Sequence, residues 1–100
     1  MFGKIGELKK MYDKYKTLQK ALQKLLIRAK EGSFISSGEE QAQIIVDISG
    51  EMKVQDIKIN DLSLLDPAKK DVIEQKLMTA VRKAQQKAQE VVQEKTKEIL

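Results

Sequence analysis

The 100-residue sequence contains no cysteine and no histidine, and aromatic residues make up only 4% of it. The absence of cysteine excludes disulfides and thiol chemistry. The absence of histidine removes the commonest general base and a frequent metal ligand. The carboxylates that remain are not spaced to supply the six to eight oxygens of a calcium site. The sequence therefore predicts a protein that is not an enzyme and that binds no metal, cofactor or small-molecule substrate.

Long apolar runs are also missing. No segment approaches the ~20 apolar residues that a membrane-spanning helix needs, and no signal-peptide segment is present. The basic first thirty residues contain one Arg and one Thr, whereas transit peptides are rich in Arg and Ser. We therefore expect a cytoplasmic protein, with residues 1–100 forming a single domain.

Charge is abundant but segregated along the chain. The formal net charge is +4. Residues 1–30 carry nine Lys/Arg and two Asp/Glu, whereas residues 31–66 carry two Lys/Arg and eight Asp/Glu. Residues 67–100 carry eight Lys/Arg and five Asp/Glu. We therefore expect an anionic partner to meet the two terminal segments rather than the acidic middle.

The first segment, residues 1–30, is predicted to be one basic amphipathic helix spanning residues 4–29, with Gly32 as its C-terminal stop. Its apolar residues recur at three- and four-residue steps. Tyr12 and Tyr15 lie on this apolar side, so we expect them to pack rather than to stack on bases. The opposite face holds the candidate anion-binding residues Lys9, Lys10, Lys16, Lys20, Lys24 and Arg28. Few acidic residues are interleaved with them, so the i,i+4 pairing that usually balances such a face is scarce.

The middle segment, residues 33–60, is predicted to be a three-stranded antiparallel meander. Gly50 is expected to adopt a positive φ in a tight turn. Val54 and Ile57 break the alternation and indicate a bulge or twist. The predicted strands are residues 34–35, 43–49 and 52–59.

The last segment, residues 66–97, is predicted to be a second long helix with Asp66 as N-cap and Pro67 at its first position. A helix of this length runs ~40–45 Å, whereas strands of five or six residues span only ~17–20 Å. A sheet of such strands cannot cover the full length of either helix, so part of the apolar face of each helix is left exposed. This indicates a homodimer, in which a second copy of the chain covers the exposed parts. The candidate dimer-interface residues are Leu18, Leu22, Leu25, Ala80, Ala84 and Ala88.

The order of these elements, and the residues at their junctions, resemble the YbaB/EbfC family over nearly the whole chain. The start, Met1-Phe2-Gly3-Lys4 followed by Gly6, looks like that of the family, and residues 45–65 are similar to its hairpin and following turn. The most specific part is Ile57-Lys58-Ile59 followed by Leu64-Leu65-Asp66. The last helix is similar as well, with Leu77, Ala80, Val81, Ala84 and Glu90.

The resemblance implies an α+β fold of the order α-β-β-β-α, built into an intertwined, tweezers-like homodimer. It also implies binding of double-stranded DNA, largely without sequence specificity, and a role in nucleoid organisation or gene regulation. Arg82 and Lys83 of the last helix are further candidate DNA contacts. Lys76, Lys83 and Lys87 share one flank of this helix with Glu90 and Glu94, and such mixed charge is more typical of an ordinary solvated surface. Two alternatives stay open: a scaffolding homodimer whose basic helices dock an acidic protein, and association with a membrane surface.

Overall fold

The computed structural model describes residues 2–99 and the side chains of residues 4–99. A helix, α1, comes first, and five strands and two short 3-10 turns separate it from a second helix, α2. The bounds are α1 Phe2–Lys24, β1 Leu26–Glu31, β2 Phe34–Ser36, β3 Glu39–Gln41, β4 Ile44–Ser49, β5 Val54–Ile59, the 3-10 turns Leu62–Leu65 and Pro67–Lys69, and α2 Lys70–Ile99. The expected α+β class, with a helix at each end of an antiparallel sheet, is confirmed.

The predicted extent of the first helix is wrong, because α1 ends at Lys24 and the chain continues as strand β1. Ile27 and Ala29 alternate with exposed residues and enter the core, where they lie opposite Ile48 and Val46 of β4. This long-range pairing overrides the helical spacing of the same residues. Gly32 consequently lies between β1 and β2, at a φ of 67°, and does not cap the helix.

The sheet has the strand order β1-β4-β5, all antiparallel, so the central position belongs to β4. Residues 34–35 do not supply its first strand, as the sequence led us to expect, but pair with residues 40–41 in a separate β2–β3 hairpin. The expected irregularity is confirmed, because Asp56 and Val54 of β5 face consecutive residues of β4 and leave Gln55 without a Cα partner.

The turn between β4 and β5 follows Ser49, as predicted, but the positive φ falls on Met52 (65°) and not on Gly50. Gly50 is needed for a different reason. Its N–H donates to the Leu22 carbonyl at 3.0 Å, and a Cβ on Gly50 would lie 2.6 Å from that same oxygen. This contact ties the C-terminal end of α1 to the sheet.

The core lies between α2 and one face of the sheet. Ala80, Ala84 and Ala88 are fully buried there against β1 and β4. Their small side chains let the helix approach the sheet closely. Asp66 accepts a hydrogen bond from the Ala68 N–H at 2.9 Å, with Pro67 following it, so the predicted cap is confirmed. The first three residues after it form a 3-10 turn, and α2 itself begins at Lys70.

Candidate nucleic-acid interface

The outstanding feature of the surface is that most of α1 projects from the core. Every side chain from Lys4 to Thr17 is exposed, and Leu18 is the first that is buried. The molecule measures 68 × 26 × 16 Å and has a radius of gyration of 19.2 Å, against ~13 Å for a compact domain of this length. Both faces of the projecting helix are therefore available to partners.

One face of α1 is a row of lysines, which we call the lysine face: Lys9, Lys10, Lys16, Lys20 and Lys24. All five side chains are exposed. Within residues 4–99 none of them forms an ion pair with a carboxylate. The Lys16 ammonium instead lies 4.7 Å from the centre of the Tyr12 ring, a cation–π contact that leaves its charge uncompensated. The lysine face is therefore a strip of positive charge open to solvent.

The other face of α1 is apolar, and only its C-terminal half is covered. Leu18 is buried within the chain, whereas Leu22 and Leu25 are half-buried. The uncovered half, which we call the exposed stripe, consists of Ile5, Leu8, Met11, Tyr12 and Tyr15. Within a single chain the two tyrosines are exposed and do not pack in the core. An apolar strip of this length is the kind of surface that a protein partner covers.

The sequence-based assignment of the alanine stripe to a dimer interface is wrong. Ala80, Ala84 and Ala88 have no exposed surface in the single chain, because the sheet of the same chain covers them. They can lose no further surface to a partner. Their four-residue spacing permits close packing, and the element packed there is the sheet.

Arg28, expected on the basic face of the helix, lies on β1 instead. Its Nε and Nη2 donate to the two carboxylate oxygens of Asp47 at 2.8 and 3.0 Å. These hydrogen bonds and the opposite charge lower the pKa of Asp47 against the opposing effect of its burial, and they raise the pKa of Arg28. Arg28 and Asp47 are direct cross-strand neighbours, so the ion pair also helps to fix the register of β1 on β4.

The two candidate residues of the last helix differ in their surroundings. Arg82 is exposed on α2. Lys83 forms an ion pair with Glu31, and one turn later Lys87 donates from Nζ to the Arg28 carbonyl at 2.9 Å. The structure thus brings Arg28 and Lys83 together at the junction of β1 and α2, outside α1. Lys30 and Lys87, which the sequence-based site did not include, lie beside them. The i,i+4 spacing of Lys83 and Lys87 was the available signal.

Among residues 4–99, no three acidic side chains converge as ligands for a metal ion. Asp61, for example, forms hydrogen bonds with nearby polar groups. It accepts hydrogen bonds from the Ser63 hydroxyl at 2.6 Å and from Gln43 at 2.7 Å, and these bonds lower its pKa. In the part of the chain that the structure describes, no helix has the length and apolar character to span a membrane.

A sheet-and-helix core that carries a projecting lysine-rich helix defines a small α+β protein with a strongly cationic arm. The chain belongs to the YbaB/EbfC DNA-binding family, whose model matches residues 3–100. That family is one of DNA-binding proteins, not of enzymes.

Among solved structures, an uncharacterized protein from Helicobacter pylori is similar, with a TM-score of 0.67 and 20% sequence identity. The match covers 93% of this chain and 98% of that one. At this identity the likeness shows the fold alone. No match was found among curated proteins.

Proposed function

We propose that the protein binds double-stranded DNA through phosphate contacts made by the lysine face, largely without sequence specificity, and that it acts as a homodimer in the nucleoid. The observation that carries the proposal is the row of five exposed lysines without carboxylate partners within residues 4–99. Membership of a DNA-binding family supplies the identity of the anion. The proposal includes no catalytic step and no cofactor.

Electrostatics supply the mechanism. A lysine that neutralises a phosphate releases condensed counterions, so the logarithm of the binding constant falls with the logarithm of the salt concentration by about 0.9 per contact. Five phosphate contacts then correspond to a slope of about −4.5, or about a 500-fold loss of affinity between 50 and 200 mM salt. Lysine is a flexible point charge that suits such contacts and reads little of the base sequence.

The geometry of α1 also favours a homodimer. The exposed stripe and the lysine face lie on different sides of the same helix and meet only where Lys16 contacts Tyr12, so covering the stripe leaves most of the lysine face open. A second copy of the chain supplies an identical stripe, as a two-fold interface requires. Two copies then offer ten lysines to one DNA molecule. Gene regulation by such a dimer would depend on how much of the DNA it covers or on DNA shape, and not on contacts with particular bases.

The test is a salt titration of binding to several duplexes of unrelated sequence. Wild type and a Lys16→Glu/Lys20→Glu/Lys24→Glu variant are compared with a control, Lys53→Glu/Lys58→Glu/Lys69→Glu, which makes the same charge change at exposed residues outside α1. We expect the wild type and the control to bind every duplex with a steep salt slope.

The α1 variant should lose binding while keeping its fold, as judged by its circular dichroism. Binding by the α1 variant that equals the control, or no wild-type binding at low salt, would overturn the proposal. Binding to an acidic protein but to no duplex would favour the scaffolding alternative.

A further inference from the structure

Outside α1, the described surface has an open cleft of about 450 Å³ between β1 and one flank of α2. It is lined by Arg28, Ala29, Lys30, Lys83 and Lys87, so four of its five residues carry a positive charge. Because β1 is an edge strand that pairs only with β4, no other strand within residues 2–99 closes this side of the sheet.

The cations of the cleft are only partly compensated. Asp47 balances Arg28, and Glu31 balances Lys83. Lys87 donates to a backbone carbonyl, which carries no net charge. Lys30 forms no ion pair within residues 4–99 and is exposed. The cleft therefore holds two positive charges that an anion could neutralise.

The paired cations also retain free hydrogen-bond donors. A guanidinium has five N–H groups, and Arg28 directs only Nε and Nη2 at Asp47. The Arg28 side chain is 49% exposed, whereas that of Asp47 is 7% exposed, so the carboxylate holds one edge of the guanidinium and the rest reaches solvent. The Arg28–Asp47 pair lies on the face of the sheet that points away from α2, because the alternating residues Ile27 and Ala29 pack on α2. Arg28 therefore borders the cleft with its backbone and keeps its free donors on the outer face of β1.

The position of the cleft in the chain links it to α1. Lys24 ends α1 on the lysine face, and Arg28 follows four residues later, a separation of at most about 14 Å even for fully extended chain. The positive strip can therefore continue from the helix onto the free edge of β1.

We propose that this cleft is a second phosphate-binding site, which takes a backbone phosphate of the same DNA duplex that the lysine face binds. The inference rests on the proposed function but names a separate site with its own residues. Lys30 and Lys87 neutralise the phosphate, and the Lys87 ammonium, which uses one N–H on the Arg28 carbonyl, donates to the phosphate oxygens. Lysine binds phosphate as a point charge, and the nearby lysine face, which is proposed to bind the same duplex, favours a DNA phosphate at this place.

The test uses a Lys30→Gln/Lys87→Gln variant, which removes the two uncompensated charges and leaves both ion pairs in place. Lys53→Gln/Lys69→Gln is the matched control, with the same charge loss outside the cleft and α1. In a salt titration of duplex binding, we expect the cleft variant to lower the salt slope by about 2 and the control to leave it unchanged.

If the wild type binds no duplex at low salt, the proposed function fails and this inference fails with it. If the wild type binds and the cleft variant keeps its slope and affinity, only the cleft is refuted, and its cations serve to protect the free edge of β1.

A second measurement separates DNA from free phosphate. The backbone amide signals of Arg28 and Lys30 are followed by NMR during titration with a duplex, and with inorganic phosphate at matched ionic strength. We expect the duplex to shift both signals at micromolar concentration. A shift caused by inorganic phosphate and not by the duplex would assign the cleft to a small anion and overturn the proposal.

Discussion

Replacing Leu8 with glutamine tests whether the exposed stripe is where two copies of the chain meet. Leu8 lies in the middle of the stripe and is 65% exposed in the single chain. Glutamine keeps a similar length and a good helix propensity, and it adds no charge. The substitution should therefore leave the folding of the single chain intact and act on association alone.

The size of the effect follows from the surface that Leu8 still has to bury. Full burial of a leucine side chain is worth ~2 kcal/mol, so the exposed two-thirds correspond to ~1.3 kcal/mol in each chain. A two-fold dimer contains the substitution twice, which gives ~2.6 kcal/mol, or about an 80-fold rise in the dissociation constant.

Sedimentation equilibrium over a wide range of protein concentration measures this constant directly. Leu62→Gln is the matched control, because Leu62 is 70% exposed but lies on a 3-10 turn far along the sequence from α1. We expect the control to dimerise like the wild type. Equal dissociation constants for Leu8→Gln and Leu62→Gln, or a wild type that stays monomeric at high concentration, would refute the reasoning.

Two further predictions concern the stability of the fold. Gly50→Ala should destabilise the protein by about 1–3 kcal/mol in urea unfolding, because the new methyl group meets the Leu22 backbone. Gly6→Ala is the matched control: nothing lies within 4 Å of the new methyl group, so this substitution should stabilise the protein by up to ~1 kcal/mol. The lowered pKa of Asp47 adds stability that is present above about pH 4 and is lost as the pH falls through the pKa in the folded state. Asp47→Asn should therefore lower the melting temperature at pH 7 and flatten its decline on acidification; an unchanged decline would contradict the assignment.

The second half of the fold was predictable because its signals are local. Asp66 and Pro67 mark a helix start whose hydrogen bond and backbone geometry involve neighbouring residues only. The irregularity of β5 likewise shows in the sequence as a break in the alternation of Val54 and Ile57. Neither feature needed knowledge of what packs against it.

The strand β1 was missed because its sequence satisfies two periods at once. Leu22, Leu25 and Ala29 keep the spacing of a helix, while Ile27 and Ala29 keep the alternation of a strand. The choice depends on β4, which lies about twenty residues away and offers Asp47 opposite Arg28. Local propensity does not contain that information. The helical prediction for this segment therefore also placed Arg28 wrongly.

The alanine part of the interface prediction was wrong for a related reason. An overhang was correctly inferred from helix length, since α1 does extend beyond the core. A stripe of small residues, however, permits close approach by any element, and nothing in Ala80, Ala84 and Ala88 distinguishes a sheet from a second helix. The exposed stripe could have been selected instead, because it continues the apolar face of α1 toward its N-terminus.

Because one helix carries both the exposed stripe and the lysine face, dimerisation and DNA affinity should be coupled. A monomer offers five lysines of that face and a dimer offers ten, so dissociation should lower the salt slope although no charge has changed. Leu8→Gln, assayed below its own dimer dissociation constant, should bind DNA more weakly and with a shallower slope than at high protein concentration. Leu62→Gln should show no such dependence at these concentrations. A Leu8→Gln slope that does not vary with protein concentration would mean that each chain binds DNA independently, and the two faces of α1 would then have separate roles.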